Sequence, residues 1–146
     1  MAVAQQQTGR QGVKAVIVDD NTVLLTRERR ADGSVYHSLP GGGVEPGESV
    51  VGALSREIDE ELACGATFGA QIGVCSYTHQ TRPQTTNYRV FRARLTGDPS
   101  PVLSENVVGV TYADPSALPD NTLDPLARFI EQSVSATSPC EPTQSH

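Results

Sequence analysis

Apolar residues cluster along the chain in short runs that predict β-strands. Residues 13–18 are apolar except for Lys14, a pattern typical of a strand buried on both faces. The polar turn at residues 19–21 precedes a second run, Val23 to Thr26, which predicts the return strand of a hairpin. Four more strands are predicted in the same way, at residues 35–39, 67–78, 88–95 and 107–112.

Two of these predicted strands flank a polar stretch. Residues 77–87 contain His79, Arg82 and Pro83, and we expect them to form a loop that carries specificity. The long alternation over residues 88–95 is typical of an antiparallel sheet with one solvent-exposed face.

Helical spacing occurs twice. The residues Val51, Leu54, Ile58 and Leu62 recur at i, i+3, i+7 and i+11, which predicts a helix over residues 49–62 with an apolar stripe. Glu48 or Ser49 is expected to cap its start, and Gly65 to close it in the left-handed conformation. Apolar spacing at Leu126, Phe129 and Ile130 predicts a C-terminal helix over residues 123–134.

At 146 residues the chain is predicted to form one domain, long enough for a hydrophobic core. We expect a flexible N-terminus at residues 1–11, a folded domain at 12–134 and a polar tail at 135–146. With 37% hydrophobic residues and no long apolar run, the composition argues against a membrane span. The first residues lack the basic and apolar regions of a secretory signal.

The formal net charge of −6 limits the classes of partner. It disfavours a nucleic acid polymer, because phosphate contacts along a polymer need a basic face. A small phosphorylated ligand is not excluded, since it needs only local cations and a metal. The three cysteines, Cys64, Cys75 and Cys140, form no C-x-x-C pair and no cysteine/histidine metal spacing. Scattered cysteines of this kind favour a reducing cytoplasm.

The candidate chemistry lies where the glycine run 41–43 leads into the first helix. Consecutive glycines let the backbone approach a ligand or metal where a Cβ would intrude. In the helix, Glu57, Glu60 and Glu61 fall within an arc of roughly 100°, so one face carries three carboxylates. Asp59 lies roughly 160° from Glu57 and faces elsewhere.

The like charges of Glu57 and Glu61 at i,i+4 repel by a few tenths of a kcal/mol, which is accounted for if a divalent cation sits between them. Hard oxygen ligands suit Mg²⁺ or Mn²⁺, which bridge phosphate oxygens. Several glutamates on a helix are also common on an ordinary solvated face. The glycine loop, the arginine at position 56 and the spacing between them and the glutamates together favour the metal site.

The loop and helix together resemble the signature of the Nudix hydrolases, G-x5-E-x7-R-E-U-x-E-E-x-G-U, where U is a bulky aliphatic residue. The chain has Ala63 where the family has glycine, and Cys64 is a loose match to the last aliphatic position. Because Gly65 follows two residues later, we interpret Ala63 as a shifted cap. The resemblance extends more weakly over residues 13–119. The matching residues are Gly42, Glu48, Arg56, Glu57, Ile58, Glu60 and Glu61.

The resemblance implies an α/β/α sandwich around a mixed β-sheet, with a site for Mg²⁺ or, as an alternative, Mn²⁺. It implies that Arg56 orients the carboxylates. Glu105 matches an acidic residue that many Nudix proteins supply outside the signature as a metal ligand or base, although a lone exposed glutamate is commonly without function. The implied metal ligands are the backbone carbonyl of Gly42 and the carboxylates of Glu57, Glu60 and Glu61.

Substrate contacts are expected from the backbone of Gly41 and Gly42 and from three arginines, Arg27, Arg82 and Arg89. Arg27 stands where Nudix proteins often place a basic residue near the substrate phosphates. The alternative is that it is an ordinary surface arginine at a strand end.

The sequence contains no Ser/His/Asp or Cys/His nucleophile arrangement and no P-loop pattern, so we expect water to attack phosphorus directly. The resemblance implies cleavage of a nucleoside diphosphate linked to another group, with a signature glutamate or Glu105 as base. ADP-ribose or a nucleotide sugar is favoured, with Pro83 as weak support, and a nucleoside triphosphate is second. The alternative is a non-catalytic nucleotide-sensing domain, which the three retained glutamates disfavour. We expect a monomer or homodimer.

Overall fold

The computed structural model describes residues 9–78 and 84–137. These residues form seven β-strands, two α-helices and a short 3-10 helix at Leu103–Glu105. The glycine run, expected as a loop, is itself a short strand. In chain order the elements are β1 (Arg10–Asp19), β2 (Thr22–Arg29), β3 (Val35–Ser38), β4 (Gly41–Gly43), α1 (Val50–Leu62), β5 (Ala66–Thr78), β6 (Thr85–Leu95), β7 (Val107–Ala113) and α2 (Asp124–Thr137).

The strands form a mixed sheet in the order β3-β2-β1-β6-β5, with β4 paired to β1 and β7 paired to β2. β1 and β6 are parallel, and the other pairs are antiparallel. The predicted hairpin pairs only beside its turn, through Val18 with Val23 and Asp19 with Thr22. Farther from the turn, β4 takes the edge of β1 that β2 has left. The glycine strand is therefore inserted where the hairpin opens.

Helices cover both faces of the sheet, which confirms the predicted α/β/α sandwich. The first face of β1, with Val13, Ala15 and Ile17, packs in one core cluster with Leu54, Ile58 and Leu62 of α1. On the opposite face, Val16 belongs to a second cluster that includes α2 residues Leu126, Ile130 and Val134. No helix in the described residues is long and apolar enough to cross a membrane.

The predicted stripe of α1 is correct at Leu54, Ile58 and Leu62 and wrong at Val51, which is 40% exposed. Val51 falls within the arc that the other three residues span, so its exposure reflects its place in the first turn and not the face it lies on. The start of the helix agrees with prediction, because the Ser49 hydroxyl accepts a hydrogen bond of 2.9 Å from the Gly52 amide.

The predicted shift of the helix end to Gly65 is wrong. Ala63 itself is left-handed, with φ 53° and ψ 40°, and its amide donates to the Asp59 carbonyl at 2.9 Å. Because the helix stops at Leu62, the next residue has to turn the chain whether or not it is glycine. Ala63 does so at a cost of roughly 1–2 kcal/mol.

Three predicted boundaries also differ. β5 runs to Thr78 and β6 starts at Thr85, so residues 77, 78 and 85–87 of the predicted loop are strand, and the hydroxyls of Thr78 and Thr85 lie 3.0 Å apart in a hydrogen bond. β6 is antiparallel to β5 as predicted but parallel to β1. β1 begins at Arg10 and α2 continues to Thr137. The residues at these three ends are mostly polar, which hid them from a prediction based on apolar runs. Their backbone groups can still form the hydrogen bonds of a strand or helix.

Candidate active site

Strand β4 lies against helix α1, and the absence of a side chain on Gly42 allows the contact. A Cβ at Gly42 would lie 2.6 Å from the carboxyl group of Glu57, closer than such atoms approach. The Glu57 carboxylate therefore rests directly on the backbone of the glycine strand. The prediction for this run was a close approach to a ligand or metal, and the group that lies against its middle residue is the Glu57 carboxylate.

Gly41 connects the same strand to Glu61. Its amide donates to Glu61 Oε1 at 3.0 Å, and the Glu61 residue is 8% exposed. The φ of Gly41 is +137°, and a Cβ there would overlap the Val13 carbonyl oxygen. Glu57 and Glu61 thus lie on the side of α1 that faces β4, as their spacing predicted.

Arg56 forms all four salt bridges found in the described part of the chain. Its Nε and Nη2 bind the two carboxylate oxygens of Glu48 at 2.8 and 3.0 Å. Its Nη1 donates at 3.2 Å to both Glu57 and Glu60. Nη2 also donates to the Gly43 carbonyl at 3.0 Å. The arginine therefore ties the carboxylates of α1 to the end of the glycine strand.

The carboxylates differ in burial and in pKa. Burial raises the pKa of Glu57, and Arg56 opposes the shift. Burial raises the pKa of Glu61 well above its usual range, with Lys14 opposing and Glu28 adding to the shift. The hydrogen bond from Arg56 holds the pKa of Glu48 at about 2. The side chain of Glu60 is 42% exposed and turns toward Arg56.

The residues present fit a hard divalent cation with an open coordination shell. Across residues 9–78 and 84–137, no three carboxylate, imidazole or thiol groups converge as they would in a closed metal centre. Mg²⁺ does not need such a cage, since it keeps several waters and takes one or two carboxylates together with substrate phosphates. Glu57, half-buried, and Glu61, buried, lie against the backbone of the glycine strand and supply that donor set.

Lys14 is a residue of this region that the sequence analysis left without a role. It is 4% exposed, and its ammonium lies near the Ser38 hydroxyl and the carbonyls of Leu39 and Gly41. Burial lowers the pKa of Lys14, but nearby tyrosines and carboxylates outweigh burial and raise the pKa above its usual value. The sequence feature that could have pointed to this residue is a single lysine within an otherwise apolar run.

Glu28 is a second residue that the sequence analysis missed. Its carboxylate accepts hydrogen bonds from Thr26 Oγ1 at 2.7 Å and from the Tyr36 hydroxyl at 3.0 Å. It interacts electrostatically with both Lys14 and Glu61. No spacing rule links it to the signature, because β2 is brought beside the loop only by the sheet.

The arginines expected to bind substrate lie in different places. Arg89 of β6 is exposed and in register with Val13, which pairs with Gly42. Residues in register across neighbouring strands share a face, so Arg89 lies on the α1 face, roughly 10 Å from Gly42. Arg27 of β2 packs over Gly109 of β7. Arg82, like His79 and Pro83, lies outside the described residues.

Glu105 ends the 3-10 helix and is exposed. The chain just before it runs along the last turn of α1, with the Val102 amide bonded to the Glu61 carbonyl at 3.0 Å. Among the described residues, its side chain has no hydrogen-bond or salt-bridge partner. Its predicted role is therefore neither supported nor opposed by a contact.

The chain resembles known proteins over most of its length. The family model described as "NUDIX domain" matches residues 8–133. A protein of Bacillus subtilis (strain 168) named "Putative 8-oxo-dGTP diphosphatase" is 30% identical over 109 residues, covering 75% of this chain and 69% of that protein.

Two solved structures share the fold. A MutT NUDIX hydrolase from Burkholderia pseudomallei has a TM-score of 0.75 and 27% identity, covering 84% of this chain and 96% of that one. An ADP-ribose pyrophosphatase from Streptococcus suis 89-1591 has a TM-score of 0.64 and 25% identity, covering 86% and 92%.

Proposed function

The chain belongs to the Nudix family of hydrolases that act on pyrophosphate bonds, and from this we propose that it is a Mg²⁺-dependent enzyme cleaving a nucleoside diphosphate linked to a second group. The observation that carries the proposal is the contact of two carboxylates, Glu57 and Glu61, with the backbone of the glycine strand. Carboxylates beside backbone carbonyls form an anionic pocket that would hold a divalent cation, and the cation would supply positive charge to a pyrophosphate.

We propose Glu57 and Glu61 as direct metal ligands and Glu60 as a ligand directly or through water. The β1–β4 ladder favours the carbonyl of Gly41 over that of Gly42 as the backbone ligand. Bonds of 2.9 Å from Ala15 N to Pro40 O and from Val44 N to Gln11 O bracket the Val13–Gly42 pair. Because bonded and non-bonded pairs alternate, the Gly42 carbonyl is directed at Val13, and the Gly41 carbonyl points away from β1.

When bound, a divalent cation neutralises pyrophosphate charge and lowers the pKa of a coordinated water. The residues of the chain orient the reactants. Arg56 holds the carboxylates of Glu57 and Glu60, and Arg89 offers a cation on the same face for a phosphate. A carboxylate accepts the proton as the water oxygen bonds to phosphorus and the bridging oxygen leaves with its electron pair.

The base is either a signature glutamate or Glu105. Glu105→Gln should lower kcat more than it changes KM if this residue acts in the transition state. Asp98→Asn, at another exposed carboxylate in the segment before β7, is the control and should leave both constants unchanged. Wild-type kinetics in the Glu105 variant would assign the base to the signature.

Two substrate classes remain in the proposal. The name of the Streptococcus suis structure supports ADP-ribose, and that of the Bacillus subtilis relative supports a nucleoside triphosphate. We keep ADP-ribose first and the triphosphate second. The alternative, a nucleotide sensor without catalysis, is disfavoured because Glu57 and Glu61 contact the glycine strand and Arg56 holds Glu57 and Glu60.

The test is incubation with Mg²⁺ and a panel of ADP-ribose, nucleotide sugars, dinucleoside polyphosphates and oxidised or normal nucleoside triphosphates. At least one member should release a nucleoside monophosphate. Water labelled with heavy oxygen should place its label on a phosphate product. Tight binding of a panel member without cleavage, with Mg²⁺ and Mn²⁺ alike, would support the sensor instead.

A further inference from the structure

Lys14 is a cation within the core of the domain. It is 4% exposed, and its ammonium donates to the Leu39 carbonyl at 3.1 Å, the Ser38 hydroxyl at 3.3 Å and the Gly41 carbonyl at 3.4 Å. An ammonium has three donors, and all three are directed at residues 38–41. The ammonium also lies 4.9 Å from the centre of the Tyr88 ring.

Within the described residues, no ion pair explains the burial of this charge. The salt bridges of the described residues all belong to Arg56, so no carboxylate of residues 9–78 and 84–137 pairs directly with Lys14. A buried charge is costly unless hydrogen bonds and nearby opposite charge compensate for it. The compensation comes from the residues that lead into the glycine strand, with Glu28 and Glu61 acting at longer range.

Gly41 is held from two sides, through the peptide group that precedes its Cα and the one that follows it. Its amide donates to Glu61 Oε1 at 3.0 Å, and its carbonyl accepts from Lys14. Lys14 and Gly41 are register partners in the β1–β4 pair, at a position where the strands exchange no backbone bond. The two peptide planes that meet at Gly41 therefore depend on two side chains, Lys14 from β1 and Glu61 from α1.

We infer that Lys14 is a positioning residue for the metal site: by holding the Leu39 and Gly41 carbonyls it fixes the backbone on both sides of the Gly41 amide and, through that amide, the place of the Glu61 carboxylate. The inference rests on the proposed function, since it assigns Glu61 and the Gly41 carbonyl to the metal. Without the ammonium, the carbonyls of Leu39 and Gly41 lose their shared donor. The backbone at Gly41 is then free to rotate, which turns its amide away from Glu61.

The principal variant is Lys14→Met, which keeps the length of the side chain and removes the donors. Mn²⁺ affinity is measured on the full chain by water-proton relaxation, and the exchange rate of the Gly41 amide by NMR. We expect the Mn²⁺ dissociation constant to rise by about tenfold to a hundredfold, the range found for residues that orient metal ligands. The Gly41 amide should exchange faster, and Lys14→Arg, which restores a buried cation with donors, should recover part of the affinity.

The direction of the change separates positioning from simple electrostatics. Removing a positive charge would by itself tighten Mn²⁺ binding. Val16→Ala, a core truncation two residues along the same face of β1, is the control for lost stability and should leave Mn²⁺ affinity unchanged. If Lys14→Met does not fold, Lys14→Gln, which needs no buried charge, takes its place with the same expected results.

Unchanged or tighter Mn²⁺ binding in a folded Lys14 variant, with unchanged Gly41 exchange, would overturn the inference. Failure of the proposed function is distinguishable. If the wild-type chain binds no Mn²⁺ and cleaves no member of the panel, the metal assignment is wrong. The role of Lys14 as a metal-site positioning residue is then overturned together with the metal assignment. If the wild-type chain does bind Mn²⁺, the Lys14 variants alone decide the inference.

Discussion

Two cations, Arg56 and Lys14, hold the glycine strand from opposite sides, and their surroundings differ. The Arg56 side chain is 26% exposed, pairs with four glutamates and donates to the Gly43 carbonyl. Lys14 is buried, pairs directly with no carboxylate of the described residues and donates to the carbonyls of Leu39 and Gly41. We call Arg56 and the glutamates it pairs with, Glu48 among them, the outer side of the strand. We call Lys14 and the buried Glu61, which both contact Gly41, the inner side.

The difference separates two tasks. Partly exposed ion pairs contribute about 1 kcal/mol or less to stability, so Arg56 matters chiefly because its planar guanidinium fixes the directions of several carboxylates. A buried ammonium is costly to desolvate, so Lys14 has to be matched by well-placed acceptors. The outer side orients side chains, and the inner side orients backbone.

The largest contrast is expected between glutamates of the two sides. Glu61→Gln, on the inner side, removes a proposed metal ligand at nearly constant shape and should lower kcat/KM by at least about a hundredfold. Glu48→Gln, on the outer side, weakens one partner of Arg56 and should cost less than about fivefold. Steady-state kinetics at saturating Mg²⁺ measure both.

The control for this pair is Asp59→Asn, which removes an exposed charge from the same helix. It should retain wild-type activity. Equal losses in the Glu48 and Glu61 variants would remove the distinction between the two sides, and unchanged turnover after Glu61→Gln would exclude Glu61 from the site.

The glycines of β4 offer a second contrast. Gly42→Ala brings a methyl group against the flexible end of Glu57, so it should displace the carboxylate and lower activity on the order of tenfold to a hundredfold while the fold survives. Gly41→Ala is strained at φ +137° and overlaps the backbone of β1, and it should destabilise the protein by at least about 2 kcal/mol.

Urea unfolding and kinetics on both variants test this assignment. Gly33→Ala is the control, because Gly33 has φ +90° with nothing near its Cβ position, so it reports the backbone strain without a collision. A Gly41 variant no less stable than the Gly33 variant would show that β4 is not fixed against β1.

The signature, the helix and the face that carries its carboxylates are predictable from sequence because they are local. Helical periodicity relates Glu57 to Glu61 without any knowledge of the sheet. The Ser49 cap is local as well. The left-handed Ala63 was missed because a glycine lay two residues farther on, and the need to turn directly after Leu62 decided the position.

The inner side was not predictable in this way, because it depends on pairings between distant segments. Lys14 meets Gly41 only because the β1–β2 hairpin opens and β4 enters beside β1. Glu28 of β2 interacts electrostatically with Lys14 and Glu61, which are distant from it in sequence or lie on other elements. The parallel pairing of β1 with β6 sets Arg89 in register with Val13. It likewise cannot be recognised from the alternation of apolar and polar residues along β6.

A third contrast concerns pH in metal-free buffer. The contributions of the two sides to stability should change with pH in opposite directions. The pKa of Glu48 is lowered from 4.5 to about 2 by the hydrogen bond from Arg56, so its stabilisation is present above pH 4.5 and lost as pH falls toward 2. The pKa of Glu61 is raised by burial, so its contribution to stability is present below pH 4.5 and lost as pH rises through the raised value.

Urea unfolding of the metal-free variants at several pH values measures these signs. Glu48→Gln should destabilise at neutral pH, with the difference from wild type shrinking in acid. Glu61→Gln should stabilise at neutral pH, and that gain should shrink near pH 4. The same sign of pH dependence in both variants would contradict the separation of the two sides.

The smallest effect lies at the end of α1, beyond the reach of either cation. Ala63→Gly relieves the left-handed strain of Ala63 but gives the unfolded chain more freedom, so it should stabilise the protein by about 0.5–1 kcal/mol. Ala70→Gly, the same substitution at an exposed position of β5 without positive φ, should destabilise by a similar amount. Denaturant midpoints measure both variants.

Because Ala63→Gly changes the stability of the helix without touching the glycine strand, kcat should stay at its wild-type value. A gain or loss of turnover would mean that helix stability limits catalysis, and the effects expected for Lys14 and Arg56 would then need to be measured at equal stability.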